Sequence, residues 1–432
     1  MPAPTGDVVT HRLASMMQVS ADLERRIEPP PDVLPEPERY LSALPSTADL
    51  VVVGGGVVGA ATAFHAWRAG LRPLLLERRP RLCTLTTPVS TGAFRLQFDN
   101  PEEIALVREG IELFDEFPSV AELPGYDLRI RKQGYLFCAT SPAGVAHQRH
   151  FVEALRGWGV RDVELLDGDE ARYRFPYLSP DIVQARFRAA DGWLDPKRLT
   201  FGYARASGAT FCLETPATGF VWQGERVVGV ETPRGRIGCQ QVVIAGGPFS
   251  GPLAALAGLQ LDLRPTIRHK LIIPELPALP ADGPMTIHEE TAAHWRPGLA
   301  GCYGLWTEPD TPPSEPFDNV PTDASFAFGL LDPRSPRTLA HLSPIWAQAW
   351  EQGDVSWVLQ AGQYTYTPDH RPLLGPSAVP GVVLNCGYSG HGIMASAGGS
   401  RIVVDALLGR LAEQKNPFWP QRPMVERPLD IL

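Results

Sequence analysis

The sequence predicts an α/β domain interleaved with a second, α+β domain built on an antiparallel or mixed sheet. Three observations carry that expectation. The first is the stretch Asp49 to Glu77, where the apolar run Leu50-Val51-Val52-Val53 leads into a glycine turn with Gly54, Gly56 and Gly59, an alanine-rich helical pattern, and a second apolar run ending in acid. The second is the return of glycine loops at the ends of two later apolar strands, at Gly246-Gly247 and at Gly390-His391-Gly392. The third is that long segments with strand patterns of their own separate these three stretches, so the first unit closes only near the end of the chain.

Strand, glycine turn, helix, strand and acid in that order make a Rossmann-type dinucleotide-binding unit. Gly54 forms the tight turn, Gly56 admits a pyrophosphate to the backbone, and Gly59 lets helix pack on strand. The helix N-terminus behind them offers bare N–H groups and a favourable dipole to phosphate. Glu77 ends the second strand, where a carboxylate accepts from a ribose diol, and Arg78 follows it. The fingerprint by itself suits FAD and NAD equally.

Composition narrows the class. The 432 residues suffice for two or three domains. With 48 acidic against 39 basic residues and a net charge of -9, the chain has no basic stripe for nucleic acid or an anionic membrane. The 6 cysteines show neither CxxC nor metal-type spacing, so buried thiols and no metal are expected. No apolar run reaches the length of a membrane span, and Pro2, Pro4, Asp7 and Arg12 break any leader pattern, so a cytoplasmic location is expected. The only lysines are Lys132, Lys197, Lys270 and Lys415, which leaves few candidates for any lysine-dependent chemistry.

In chain order, residues 1–48 form a proline-rich N-terminal arm, with a short helix over 21–27. The arm is read either as lying on the body or a neighbouring subunit, or as a free tail. Residues 49–95, 190–262 and 361–432 are assigned to the nucleotide domain, and 96–189 and 263–360 to the substrate domain. Pro101-Glu102-Glu103 opens an amphipathic helix with Ile104, Val107 and Phe114, and further helices are read at 143–158, 196–207, 250–258 and 395–411. Lys270 is read as opening the strand Lys270-Leu271-Ile272-Ile273.

Together, the GGGVVG turn with Glu77, the STGAFR loop from Ser90, VVIAGG, TPDHRPLLGP and GYSGHGI resemble the FAD-dependent amino-acid and amine oxidoreductases, the family of D-amino-acid oxidase, glycine oxidase, sarcosine oxidase and dimethylglycine or proline dehydrogenase. The resemblance runs from about residue 49 to residue 422, and its last two motifs select FAD. It implies that Gly54, Gly56 and Gly59 face the pyrophosphate and Glu77 the ribose. Ser90, Thr91 and Gly92 would lie along the pyrophosphate and ring, Ala217 would meet the adenine, and Gly246 and Gly247 would flank the cofactor. Gly390, His391, Gly392 and Ile393 would offer N–H groups to the flavin N1 and C2 carbonyl.

The chain departs from monomeric sarcosine oxidases in three places. Gly362 stands where a cysteine bonds flavin, so non-covalent FAD is expected. Leu305 matches the oxygen-activating lysine, and Met394 matches the lysine after their GHG motif. The activity implied is hydride transfer from the carbon beside an amine nitrogen to flavin N5, giving an imine. Arg95 is the candidate carboxylate clamp, Tyr364 a substrate hydrogen-bond donor, Lys270 the one lysine near the ring, and His391 a shaper of its loop. The expected partner is a small amine or amino acid, alongside a homo-oligomer contact or an electron acceptor. Two other readings stay open, a 2-hydroxy-acid dehydrogenase on the same fold and a non-catalytic flavoprotein scaffold.

Overall fold

The computed structural model describes residues 33–298, 301–353 and 355–427, so the expected helix at 21–27 and the prolines at 29–31 lie outside the described residues. From Val33 onward the arm lies on the body. Val33 is buried, and the Arg39 guanidinium donates to the carbonyls of Ala204 at 3.0 Å, Arg205 at 2.8 Å and Ala209 at 2.7 Å. The Tyr40 ring packs on Phe211 with centroids 5.2 Å apart.

Two eight-stranded sheets organise the rest. In the first, the strands lie side by side in the order Leu373–Pro376, Val382–Cys386, Gly235–Ile244, Thr47–Val53, Pro73–Leu76 and Thr210–Cys212. The last five run parallel, Leu373–Pro376 joins antiparallel at one edge, and the hairpin Gly219–Gln223 with Arg226–Thr232 pairs onto Gly235–Ile244. Unbroken apolar strands such as Leu50-Val51-Val52-Val53 suit a parallel sheet buried on both faces. Leu50 and Val52 meet the helices Val57–Arg68, Pro196–Ala206 and Gly392–Leu407, while Val51 and Val53 point to the opposite layer with Ala254 and Ala257.

The second sheet has the order Val358–Tyr366, Arg264–Ile273, Cys302–Leu305, His294–Pro297, Met285–His288, Tyr135–Ala139, Gln184–Arg188 and Glu164–Asp167. It is mixed: every neighbouring pair is antiparallel except Met285–His288 with Tyr135–Ala139. Its two faces have different contents because successive side chains alternate. Leu271, Ile273, Trp295 and Cys302 pack with Phe326, Leu330 and Trp346 of the helices Ala324–Leu331 and Pro344–Gln352. Arg268, Lys270 and Arg296 point the other way, toward the first sheet's loops, where Tyr135, Phe137, Met285 and Ile287 join Ala93 and Trp193 in a small apolar cluster.

Three details correct the expectations. Strand Val358–Tyr366 belongs wholly to the second sheet, so the chain returns to the first only after Tyr366 and not at residue 361. The helix Pro101–Asp115, placed with the substrate domain, instead buries Ile104, Val107 and Phe114 in the cluster that holds the nucleotide helices, with Gly110 directly against the Met394 carbonyl. Periodicity marks which face of a helix is apolar but not what covers it. Lys270 stands inside the strand Arg264–Ile273 and not at its start.

Candidate active site

A long cleft with a cavity volume of about 460 Å³ runs along the C-terminal ends of the parallel strands, where open α/β sheets bind their ligands. Three glycine loops build its wall: Gly54-Gly55-Gly56, Gly246-Gly247, and Gly387 to Gly390. Gly54 has φ +122, a conformation closed to other residues, and a Cβ there would lie 2.3 Å from the Ala245 carbonyl oxygen. Gly59 serves a different end. A Cβ on it would sit 1.8 Å from the Gly54 oxygen, so it is the contact that lets helix Val57–Arg68 lie close on the strand.

Two helix N-termini open into this cleft. Gly56 precedes Val57–Arg68 and His391 precedes Gly392–Leu407; neither gives its helix a side-chain cap, and neither helix has an acid in its first turn. Such ends leave N–H donors and positive dipole free for an anion. Glu77 stands at the cleft edge. Its carboxylate accepts from the Gly55 N–H at 2.7 Å and the Arg79 N–H at 2.8 Å, while burial raises its pKa against the pull of those bonds and of Arg78 and Arg79. Arg78 lies over the Phe249 ring, 3.8 Å from its centroid, and pairs with Asp318. The donor set therefore fits a dinucleotide: one N-terminus for a pyrophosphate, one for delocalised charge on a ring, and a carboxylate for a diol.

Of the residues singled out from sequence, Gly54, Gly56, Glu77, Arg78, Ser90, Ala217, Gly246, Gly247, Tyr364, Gly390, Gly392 and Ile393 line the cleft. Gly59, Thr91, Gly92, Arg95, Lys270, His391 and Met394 stand outside that lining. Gly92 packs on the Leu194 carbonyl, and the Thr91 carbonyl accepts from Arg296. Arg95 is buried, stacked over Phe98 at 4.3 Å and bonded to the Gln97 carbonyl, a placement that makes it a brace within its own loop. His391 sits edge-on to Phe98 and its Nδ1 meets the Glu103 carboxylate at 3.3 Å, so its ring ties the glycine loop to helix Pro101–Asp115. Burial would raise the Glu103 pKa, but the bond and charge of His391 and the Asn100 amide hold it below the usual carboxylate value.

Lys270 and Arg296 lie on the face of the second sheet behind the Thr91 loop. The ring of Tyr303 stands between them, with Lys270 Nζ 5.0 Å and the Arg296 guanidinium 4.5 Å from its centroid. Burial pushes the Lys270 ammonium down to about 7 and Arg296 to about 10; the Arg296 and Lys197 charges add to the first shift.

Sequence reasoning missed several lining residues. Thr87 accepts from the Val57 N–H at 3.2 Å, Phe249 carries Arg78, and Cys386, Tyr388 and Ser389 close the far end. Tyr388 donates to Asn385 at 2.6 Å, and Asn385 donates to Thr62 at 2.8 Å and Ser400 at 3.1 Å, which knits the strand to both helices that open on the cleft. Their adjacency to the glycine loops was the available signal. All 6 cysteines are free, and among the described residues no group of histidine, cysteine and carboxylate side chains is arranged to hold a metal. No described helix is long and apolar enough to cross a membrane.

Fold and cleft together define a dinucleotide-binding protein whose cofactor domain is interleaved with a second, mixed sheet. Residues 49–406 match the family described as FAD dependent oxidoreductase, and the chain belongs to that family; its cofactor is FAD. It is 27% identical over 440 residues to the FAD-dependent oxidoreductase domain-containing protein 1 of Xenopus laevis, covering 89% of this chain and 85% of that one. It is 26% identical to the mitochondrial sarcosine dehydrogenase of Homo sapiens over 82% of this chain but spans only 39% of that protein. Glycine oxidase from Geobacillus kaustophilus shares the fold, with TM-score 0.76 and 22% identity over 88% of this chain and 100% of that one.

Proposed function

We propose that this chain oxidises the carbon–nitrogen bond of an amino acid or secondary amine, of the sarcosine, N-substituted glycine or proline kind, to an imine that water can hydrolyse. When bound, FAD supplies the acceptor for the hydride. The observation that carries the reading is the position of Tyr364. It lines the cleft, and its ring packs so tightly on Gly390 that a Cβ there would come within 2.6 Å. One residue thus joins the loop that receives the ring to the sheet face that carries Lys270 and Arg296. Sarcosine dehydrogenase and glycine oxidase, by their names, act on substrates of the proposed kind.

In this reading the turn at Gly56, at the N-terminus of helix Val57–Arg68, holds the pyrophosphate, Glu77 holds the ribose, Ala217 meets the adenine, and Gly246 and Gly247 flank the cofactor. The N–H groups of Gly392 and Ile393, at the second helix N-terminus, face the negative charge that gathers on reduction. The remaining work is positioning and exclusion of water: Tyr364 is half-buried, and desolvation lifts its hydroxyl to about 12, so it stays a hydrogen-bond donor at neutral pH. FAD is held without a covalent bond. Gly362 offers no nucleophile, and the cleft's one cysteine, Cys386, is pushed up to about 12 by burial and remains a thiol.

The test is anaerobic mixing of the purified flavoprotein with secondary and primary amino acids and with 2-hydroxy acids, following the visible flavin band. Bleaching by amino acids alone is expected. Bleaching by hydroxy acids alone, or by nothing in the panel, overturns the reading. Acid precipitation should leave the flavin in the supernatant.

A further inference from the structure

Arg78 and Phe249 stand on opposite walls of the cleft. Arg78 follows the strand Pro73–Leu76 and Phe249 follows Gly235–Ile244, and these two strands flank Thr47–Val53 on either side. Neighbouring strands lie about 4.8 Å apart, so the two walls are roughly 10 Å apart, with the glycine turn Gly54-Gly55-Gly56 between them. The Arg78 guanidinium nevertheless sits 3.8 Å from the Phe249 ring centroid. The pair therefore spans the turn, where the uncapped end of helix Val57–Arg68 meets the cleft.

A segment of the second domain holds that span in place. Residues 306–323 leave the strand Cys302–Leu305 and carry Pro309, Pro312, Pro313, Pro316 and Pro321, whose fixed φ leaves little freedom to lose on ordering. Gln363, buried on the strand Val358–Tyr366, pins the segment. Its amide nitrogen donates to Ser314 Oγ at 2.9 Å and to the Glu315 carbonyl at 2.8 Å, and its amide oxygen accepts from the Phe317 N–H at 2.8 Å. The Ser314 N–H adds a bond to the Pro265 carbonyl at 2.8 Å. Asp318, the next residue, then crosses to the loop after Glu77, where its carboxylate pairs with Arg78 and its carbonyl accepts from Arg79. The Asp318 side chain is 64% exposed and does not line the cleft, so it acts on the cleft through Arg78.

We propose that Arg78 over Phe249 is a clasp across the cofactor cleft, latched by Asp318 of the second domain, and that its opening sets the rate at which FAD enters and leaves. The inference concerns the passage of the cofactor and stands whichever substrate the flavin oxidises. Each contact is weak by itself: a solvent-exposed ion pair or cation–ring contact shifts an equilibrium by no more than about fivefold. Contacts of that size slow exchange and still let the clasp open. Because the span lies over the glycine turn, loosening it clears the path in both directions.

The test measures exchange in place of turnover. Release is followed by the change in flavin fluorescence when the FAD-loaded protein is diluted, and entry by the same signal when FAD is mixed with the full chain stripped of flavin. Asp318→Asn, which keeps the shape and removes the charge, should speed both rates about two- to fivefold, and Asp318→Glu should bring them back toward the wild type. Asp318→Asn combined with Phe249→Leu should speed both roughly tenfold. Potassium chloride screens an exposed pair, so it should quicken exchange in the wild type more than in Asp318→Asn. If the double variant holds no flavin, Asp318→Asn decides the matter, since Asp318 is exposed and its loss leaves no buried charge behind. Both rates unchanged in Asp318→Asn, release quickened with entry untouched, or an equal salt response in wild type and Asp318→Asn overturns the proposal. Exchange that follows the clasp in a protein whose flavin no amino acid bleaches would sink the oxidation reading and leave the clasp standing; oxidation of amino acids with exchange indifferent to Asp318 would do the reverse.

Discussion

Replacing Lys270 by methionine should stabilise the ligand-free protein, and the gain should fade as pH rises. Lys270 is buried, and its pKa falls from 10.5 in the unfolded chain to about 7 in the fold, through burial first and then the Arg296 and Lys197 charges, with Asp195 opposing. Below about pH 7 both states carry the proton, and the folded state bears the full penalty of a desolvated ammonium. Between about 7 and 10.5 only the unfolded state binds the proton, so wild-type stability rises with pH. At about 1.4 kcal/mol per unit, the interval of roughly 3.5 units amounts to a penalty on the order of 5 kcal/mol in acid. Between pH 6 and pH 9 the wild type should recover on the order of 3 kcal/mol relative to Lys270→Met, a volume-conserving swap that keeps the apolar stem. Urea unfolding of both proteins, stripped of flavin, at three pH values in that range measures it. A difference between the two that does not change with pH would refute the reasoning, because it would mean that Lys270 titrates alike in both states.

Two further predictions test the cofactor side. Gly59→Ala places a methyl group 1.8 Å from the Gly54 oxygen, so helix and strand must part; the variant should lose about 1–3 kcal/mol or more in denaturant unfolding and purify with little flavin. Glu103→Gln removes the charge that faces His391 at 3.3 Å, so near neutral pH it should unfold about 1–3 kcal/mol more easily than the wild type. The wild-type pKa of Glu103 is depressed, so its contribution is present above the unfolded value of 4.5 and is lost as pH falls through the lower folded value. Unfolding curves for the pair should therefore converge in acid, and a gap that widens there would contradict the lowered pKa of Glu103.

The first sheet and its cleft were legible because their information is local. Gly54, Gly56 and Gly59 with Glu77 occupy one strand–turn–helix–strand unit, and each residue type answers a demand made by its immediate neighbours in the chain. Gly246-Gly247 and Gly390-Gly392 announced themselves as glycines at strand ends in the same way, and all of these but Gly59 reach the cleft wall. Tertiary structure decided the rest. The amphipathic pattern of Pro101–Asp115 fixed its buried face, yet only the fold chose the nucleotide helices as its cover. The STGAFR loop offered Arg95 as a clamp, and packing turned that guanidinium onto Phe98 and Gln97. Arg296 carried no signal at all. Its neighbourhood with Lys270 depends on strand order in a mixed sheet, which links residues through hydrogen-bonded ladders across intervening strands, and no spacing along the chain encodes that order.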